Sequence, residues 1–239
     1  MGNFITAVRP VSLFPGGDWL VYECQFDIHY FSDTLYSQWG IVCPPSVQQS
    51  VRSRRAEFLA GRYACQLALE ALGLERWSVG IGPHRAPQWP PGVVGSISHD
   101  SSSALACVGF KREGVIGVGI DREPLIESDV APRIASSIAK PDELERLDYR
   151  QWPFNKALTL IFSAKESFFK AAYPSVGRYL DFDAVRFAGF QKRGDLGECL
   201  ALVLPQALAS SLPSGSTHCG YFYRVRNCFT TGVLLLSDS

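Results

Sequence analysis

No apolar run in this chain approaches the roughly 20 residues of a membrane helix, so stable membrane insertion is not expected. Charge of one sign is also missing: 23 basic residues balance 23 acidic ones, which leaves no positive field to announce nucleic acid. The seven cysteines (Cys24, Cys43, Cys65, Cys107, Cys199, Cys219 and Cys228) form no CxxC pair. An odd number at irregular spacing argues against a disulfide framework and against a zinc site. Buried, reduced thiols of a cytoplasmic protein are expected instead. Internal repeats and low-complexity tracts are absent. The first residues lack a charged segment followed by a long apolar one, so no secretory signal is expected. Met1 to Thr6 fits the loose myristoylation pattern, which is too short to separate from coincidence.

What is present is an ordinary soluble composition: 239 residues, 46% hydrophobic, enough for one large domain or two small ones. Residues 1–45 read as short strands and turns. From Ser46 to Leu72 a long helix is predicted, with Ser46 as N-cap and Gly73 just past its end. Its apolar side carries Ala60, Gly61, Ala64, Cys65, Ala68 and Leu72. Arg52, Arg55, Arg62, Gln66 and Glu70 line the opposite side, either a solvated face or an anion site. The segment Gly82–Gly92 is too rich in proline for helix or central strand and reads as a stiff loop fixing Arg85 and Trp89, the latter over the core edge. Val94 to His99 reads as a strand ending in a polar turn. His99 stands there among small residues that let a ligand approach the backbone.

Two stretches carry chemistry. Val115 to Pro124 is a β-branched run ending in acid. Residues two apart on a strand share a face, so Asp121 and Glu123 project together, and Pro124 ends the ladder. Two carboxylates so placed are either solvated or gathered on a cation, and such oxygen ligands suit magnesium. Phe162 to Ala171 has neither glycine nor proline and reads as helix, in a segment starting near Pro153. Phe162, Phe169 and Ala172 fall on one face, and Glu166 stands one turn before Lys170. Such a Glu–Lys pair is ordinarily a weak surface ion pair.

Between these stretches, helices are predicted over Ile134–Ile138 and over Asp142–Tyr149, with Pro141 at a helix start. Strands are expected at Val185–Phe187, Cys199–Leu204, Tyr221–Val225 and Gly232–Leu236. The second half loosely mirrors the first, helix plus strands on each side of a joint near Gly114–Asp121. The expected fold class is therefore α+β, built of two similar lobes.

The order Gly95-Ser96-Ile97-Ser98-His99, Gly119-Ile120-Asp121-Arg122-Glu123 and Phe162-Ser163-Ala164-Lys165-Glu166-Ser167-Phe168-Phe169-Lys170 resembles the 4′-phosphopantetheinyl transferases. The likeness is to the branch that includes the enterobactin synthase component D proteins. Glu57 to Arg62, Arg85 to Pro90, and Phe154 with Ala157 to Leu160 extend it over about Arg54 to Tyr173. Phe162 departs from the pattern, since many members carry tryptophan there.

The resemblance implies two α/β lobes with pseudo-twofold symmetry, divided as 1–117 and 118–239, the first binding the adenosine phosphates of coenzyme A. It implies transfer of the 4′-phosphopantetheine arm of coenzyme A, the co-substrate, to a serine of an acyl or peptidyl carrier protein. Magnesium, with manganese as a substitute, is expected on Asp121, Glu123 and Glu166. Glu166 is the implied general base, and Lys170 neutralises the leaving group. Arg54, Arg62, Arg85, Ser98, His99, Lys165 and Lys170 are the implied contacts to coenzyme A. Which arginine of the first helical turn, Arg52, Arg54 or Arg55, reaches the 3′-phosphate stays open. A cytoplasmic monomer is expected. The rival readings are a magnesium-dependent hydrolase, which needs no carrier, and a non-catalytic module that binds coenzyme A or a carrier.

Overall fold

The computed structural model describes residues 2–75, 77–146, 152–192 and 198–237. It divides into two units, Met1–Ser12 with Gly16–Lys111, and Leu13–Pro15 with Arg112–Ser239. The chain changes unit between Lys111 and Arg112, ahead of the strand that a boundary at 117/118 would cut.

The first unit contains β1 (Ile5–Val11), β2 (Leu20–Phe26), α1 (Thr34–Gln38), α2 (Pro45–Gln48), α3 (Arg52–Ala71), β3 (Gly80–Ile81), β4 (Pro87–Gln88), β5 (Val93–His99) and β6 (Ser103–Phe110). Its main sheet is antiparallel in the order β1-β2-β6-β5. Strand β6 is buried from Ser103 to Gly109, which is why its sequence is a nearly unbroken run of small and apolar residues. Helix α3 covers this sheet with its small side: Ala60, Ala64, Cys65 and Ala68 are buried, so the helix lies close to the strands. Trp89 lies flat against β5, where a Cβ on Gly95 would come within 2.8 Å of its ring.

The helix expected from Ser46 is two helices. Val51 adopts an extended backbone (φ −60°, ψ 156°) and separates α2 from α3. Arg55, on the first turn of α3, turns its guanidinium back to the carbonyls of Gln48 and Ser50, groups that the end of α2 leaves without helical partners. Gly73, at φ +84°, follows the end of α3 as the sequence suggests.

The second unit contains β7 (Val115–Pro124), α4 (Ala131–Ile138), α5 (Pro141–Leu144), α6 (Phe154–Val176), β8 (Arg186–Lys192), β9 (Glu198–Val203), β10 (Thr217–Val225) and β11 (Cys228–Leu236). These strands form one antiparallel sheet in the order β7-β11-β10-β9-β8. Pro141 opens α5 as expected, but α5 ends at Leu144, and positions 147–149 of the helix expected there lie outside the described residues. Helix α6 starts after Pro153 and stops at Gly177, which takes the left-handed conformation at φ +67°. Phe162 and Phe169 share a face, each packing on the ring of Phe182 at centroid distances of 5.3 and 5.5 Å.

Helix α6 runs antiparallel along β7 and touches it backbone to backbone. A Cβ on Gly117 would collide with the carbonyl oxygen of Ala171, and one on Gly119 with that of Ser167. One turn further back along the helix, Ser163 Oγ lies 2.9 Å from the Asp121 carboxylate. Beyond the strand, Thr159 Oγ1 accepts from the Ile126 amide at 3.0 Å, and Asn155 Nδ2 donates to the Ile126 carbonyl at 2.9 Å. Positions 117, 119 and 121 lie on one face of β7, so the two glycines clear the space and the acid fills the next place. Gly119→Ala should cost about 3 kcal/mol through overpacking against rigid backbone. The melting temperature should fall by roughly 6–12 °C in a calorimetric scan.

Candidate active site

The second unit gathers two acids and a lysine between β7 and α6. Asp121 leaves the strand with its side chain only 9% exposed, and Lys170 Nζ sits 2.8 Å from its Oδ1. Lys170 also donates to the Ile120 carbonyl at 3.0 Å. On its other oxygen, Oδ2, Asp121 accepts the hydroxyl of Ser163. Glu166, one turn before Lys170, is half-buried. Burial pushes its carboxyl above the ordinary glutamate range, the charge of Asp121 adds to this, and Lys170 opposes without cancelling. Glu123 stands two residues beyond Asp121 along β7, also half-buried.

Of the three acids implied by the resemblance, Asp121 and Glu123 stand two apart on β7 and Glu166 comes from α6. Among the described residues no three His, Cys, Asp or Glu side chains form a group able to hold a metal ion. Asp121 pairs with Lys170, and the charges of both act on Glu166.

Lys165, expected on a phosphate, turns the opposite way. Its ammonium is fully buried, 2.7 Å from Glu143 Oε1 and 2.9 Å from each of the carbonyls of Ile138 and Phe182. Those three acceptors match its three N–H donors. Glu143 is equally buried and also accepts from the backbone amides of Lys140 and Phe187. Burial pushes the Lys165 ammonium below the ordinary lysine range against the pull of Glu143. This lysine is a structural cation tying α6 to α4, to α5 and to the turn at Phe182–Ala184, and Glu143 carries the tie on to β8. Adjacent helical residues diverge by about 100°, so the motif's Lys165 and Glu166 serve different faces.

In the first unit the arginines also sort themselves. Arg54 Nη1 lies 2.6 Å from His99 Nε2, and Glu57 Oε2 stands 3.7 Å from Arg54 and 3.6 Å from His99 Nδ1. Arg62 lies inward, its Nε donating to the Val79 carbonyl at 2.7 Å and its Nη2 to the Gly80 carbonyl at 3.2 Å, over the ring of Phe58. A phosphate-binding role for Arg62 gives way to this packing. Arg52 is spent on the carbonyls of Ile28 and Phe31, and Arg55 pairs with Asp33 at 3.1 Å. Of the candidate arginines on α3, Arg54 is the one beside His99. Ser98 is buried in β5. Arg85 is exposed at the end of a short turn, with His84 and Arg85 both left-handed at φ +51° and +63°.

Sequence reasoning missed Ser163, Ser167, Thr231, Glu143 and Glu57. The serines lay inside the quoted motif without a role, whereas Thr231 and Glu143 sit far along the chain from the side chains they touch.

Comparison with known proteins gives a consistent picture. The family model of the 4′-phosphopantetheinyl transferase N-terminal domain matches residues 44–109, and that of the 4′-phosphopantetheinyl transferase superfamily matches residues 117–210. The chain is 32% identical over 246 residues to the 4′-phosphopantetheinyl transferase PptT of Mycobacterium tuberculosis, covering 98% of this chain and 99% of that one. It is 47% identical over 120 residues to enterobactin synthase component D of Salmonella typhi, covering 50% of this chain and 49% of that protein. With the 4′-phosphopantetheinyl transferase Npt of Nocardia iowensis it shares 34% identity over 137 residues, 57% and 60% of the two chains. The matched stretch spans about half the length of the enterobactin synthase relatives.

Two consequences of this geometry are measurable. Lys165→Met leaves Glu143 buried without its cation and should cost about 3–5 kcal/mol in denaturant unfolding, with part of the loss regained in the double variant with Glu143→Gln. Glu166 binds its proton more tightly folded than unfolded, so stability falls as pH rises out of the ordinary glutamate range and through its raised pKa. The melting temperature of Glu166→Gln should therefore exceed wild type at about pH 8 and converge on it near pH ~4.

Proposed function

The chain belongs to the 4′-phosphopantetheinyl transferase superfamily, and we propose that it moves the 4′-phosphopantetheine arm of coenzyme A onto a serine hydroxyl of an acyl or peptidyl carrier protein. The observation that carries this reading is the meeting of Asp121, Glu166 and Lys170 where α6 lies against β7. Phosphoryl transfer of this kind asks the protein mainly for positioning, charge compensation and a proton acceptor.

Glu166 is the proton acceptor. Its carboxyl is held above the ordinary glutamate range by burial, which makes it a stronger base than an exposed glutamate. As the carrier serine oxygen bonds to the phosphorus that bears pantetheine, its proton passes to Glu166. The bond from that phosphorus to the bridging oxygen breaks, and 3′,5′-adenosine bisphosphate departs. Lys170, 31% exposed and already within the cluster, offsets the charge that grows on the leaving oxygen.

Magnesium suits the donor set as a two-carboxylate ion: Asp121 and Glu166 would hold it, with Glu123 as a further oxygen source from the same face of β7. When bound, magnesium or manganese supplies positive charge to the diphosphate. In the first unit Arg54, His99 and the exposed Arg85 are the donors we assign to the adenosine phosphates, with Ser98 contributing backbone. Free thiols at the cysteines and the absence of a helix long and apolar enough to cross a membrane among the described residues support placing the protein in the cytoplasm, where we take it to act as a monomer.

Intact-mass measurement of apo-carriers incubated with coenzyme A and magnesium checks the assignment. The carrier should gain one phosphopantetheine, and no phosphopantetheine should be released when carrier is omitted. Glu166→Gln should lower the rate by about 10²–10⁴-fold. Release without carrier, or a wild-type rate for that variant, contradicts the assignment.

A further inference from the structure

Buried hydroxyls surround Asp121 on the side away from Lys170. Ser163 and Ser167 lie one turn apart on α6, and Thr231 stands on β11 directly across from Asp121 in the strand register. All three are fully buried. Ser163 Oγ is 2.9 Å from Asp121 Oδ2 and 2.9 Å from Thr231 Oγ1. Ser167 Oγ is 2.8 Å from Thr231 Oγ1 and 3.1 Å from the Thr231 carbonyl.

The direction of these bonds follows from counting protons. A carboxylate paired with an ammonium only accepts, so the single proton of Ser163 goes to Asp121. Ser163 must then accept from Thr231, whose own proton is thereby spent. Thr231 Oγ1 can in turn only accept, and the hydroxyl of Ser167 supplies it or the adjoining carbonyl. Aligned bonds of this sort reinforce one another in a low-dielectric interior.

We propose that Ser163, Thr231 and Ser167 form a directed hydroxyl chain that positions Asp121, pinning Oδ2 from behind and presenting Oδ1, the oxygen now held by Lys170, to the divalent cation that would accompany the reacting diphosphate. The proposal rests on the reading of Asp121 as a working acid of the transferase. The chain holds the carboxylate through Ser163 without adding a second positive charge to that of Lys170. A cation in place of Ser163 would overcompensate the single charge of Asp121. These are positioning residues, acting through Asp121 and not on substrate.

Thr231→Val keeps the side-chain shape and removes the hydroxyl, and Ser163→Ala removes the last link while improving helix propensity, so α6 should stay folded. In each, kcat should fall about 10–100-fold with the KM for coenzyme A within about twofold, whereas Thr231→Ser should keep kcat within about twofold of wild type. Wild-type kcat in folded Thr231→Val and Ser163→Ala, or a loss that Thr231→Ser does not rescue, overturns the proposal. A readout independent of turnover is the hydroxyl proton of Ser163 in isotope-labelled protein. In wild type its bond to Asp121 is reinforced from behind, so its resonance should move upfield in Thr231→Val, and an unchanged resonance would show that Thr231 does not load Ser163. If wild type modifies no carrier, the transferase reading fails on its own evidence, while the proton resonance still decides whether the chain holds Asp121.

Discussion

The contact on which the second unit depends is the bare backbone approach of α6 to β7. Any side chain at Gly117 or Gly119 would hold the helix off, because a Cβ there meets main-chain carbonyls that have no rotamer by which to yield. With the glycines in place, one helix turn matches about two strand residues along the seam, so Ala171, Ser167 and Ser163 fall in turn beside positions 117, 119 and 121. The acid at 121 then arrives against a helix face that carries a serine, a glutamate and a lysine. Conformational freedom lost at two glycines is exchanged for a distance that side chains reaching across a normal helix–sheet gap could not achieve.

Helix α6 is held in rotation as well as in depth. On the β7 side the hydroxyls and Asp121 fix it, and on another side the Lys165–Glu143 pair does, with every ammonium proton matched to an acceptor. An apolar helix face tolerates small rotations, since dispersion contacts are non-directional and numerous. Hydrogen bonds at 2.7–2.9 Å to fully buried partners do not. Two polar anchors on different faces therefore constrain where Glu166 and Lys170 point, at a desolvation cost that leucine in place of Lys165 would avoid. The choice of a costly anchor over a cheap one makes sense only if orientation matters.

How much of this was legible before the coordinates follows from the range of each interaction. Strand β7 and helix α6 declared themselves through local signals: β-branched residues closed by Pro124, and a run from Pro153 without a breaker through the acid motif. The mixed α+β class and the pairing of Glu166 with Lys170 on one helix face came from the same local rules. Gly117 and Gly119 did not read as a contact, because a glycine in a strand names no partner and Ala171 and Ser167 lie far along the chain. The resemblance implied Lys165 as a coenzyme A contact, and nothing near it in sequence names Glu143, Ile138 and Phe182 as the groups that bury it. Arg62 fell on the charged stripe of α3, but the carbonyls of Val79 and Gly80 that bury it come from a segment with no periodic signal. Arg54 lay off that stripe, and only the packing of α3 on β5 sets it beside His99.

Charge balance joins the site to its proposed chemistry. Burial raises the proton affinity of Glu166, Lys170 opposes it, and Asp121 adds a smaller repulsion. A half-buried acid is costly to keep charged, so its partners decide what it can do. A diphosphate brought to the same place would add negative charge beside these acids, and one lysine cannot offset it. Two further positive charges arriving with the diphosphate would satisfy both carboxylates and the phosphate oxygens at once, at separations where Coulomb terms in a partly desolvated site reach several kcal/mol. On the proposed reading, the cluster would suit an anion accompanied by a divalent cation better than either alone. Neutral hydroxyls, not a second lysine, behind Asp121 are what preserve that condition.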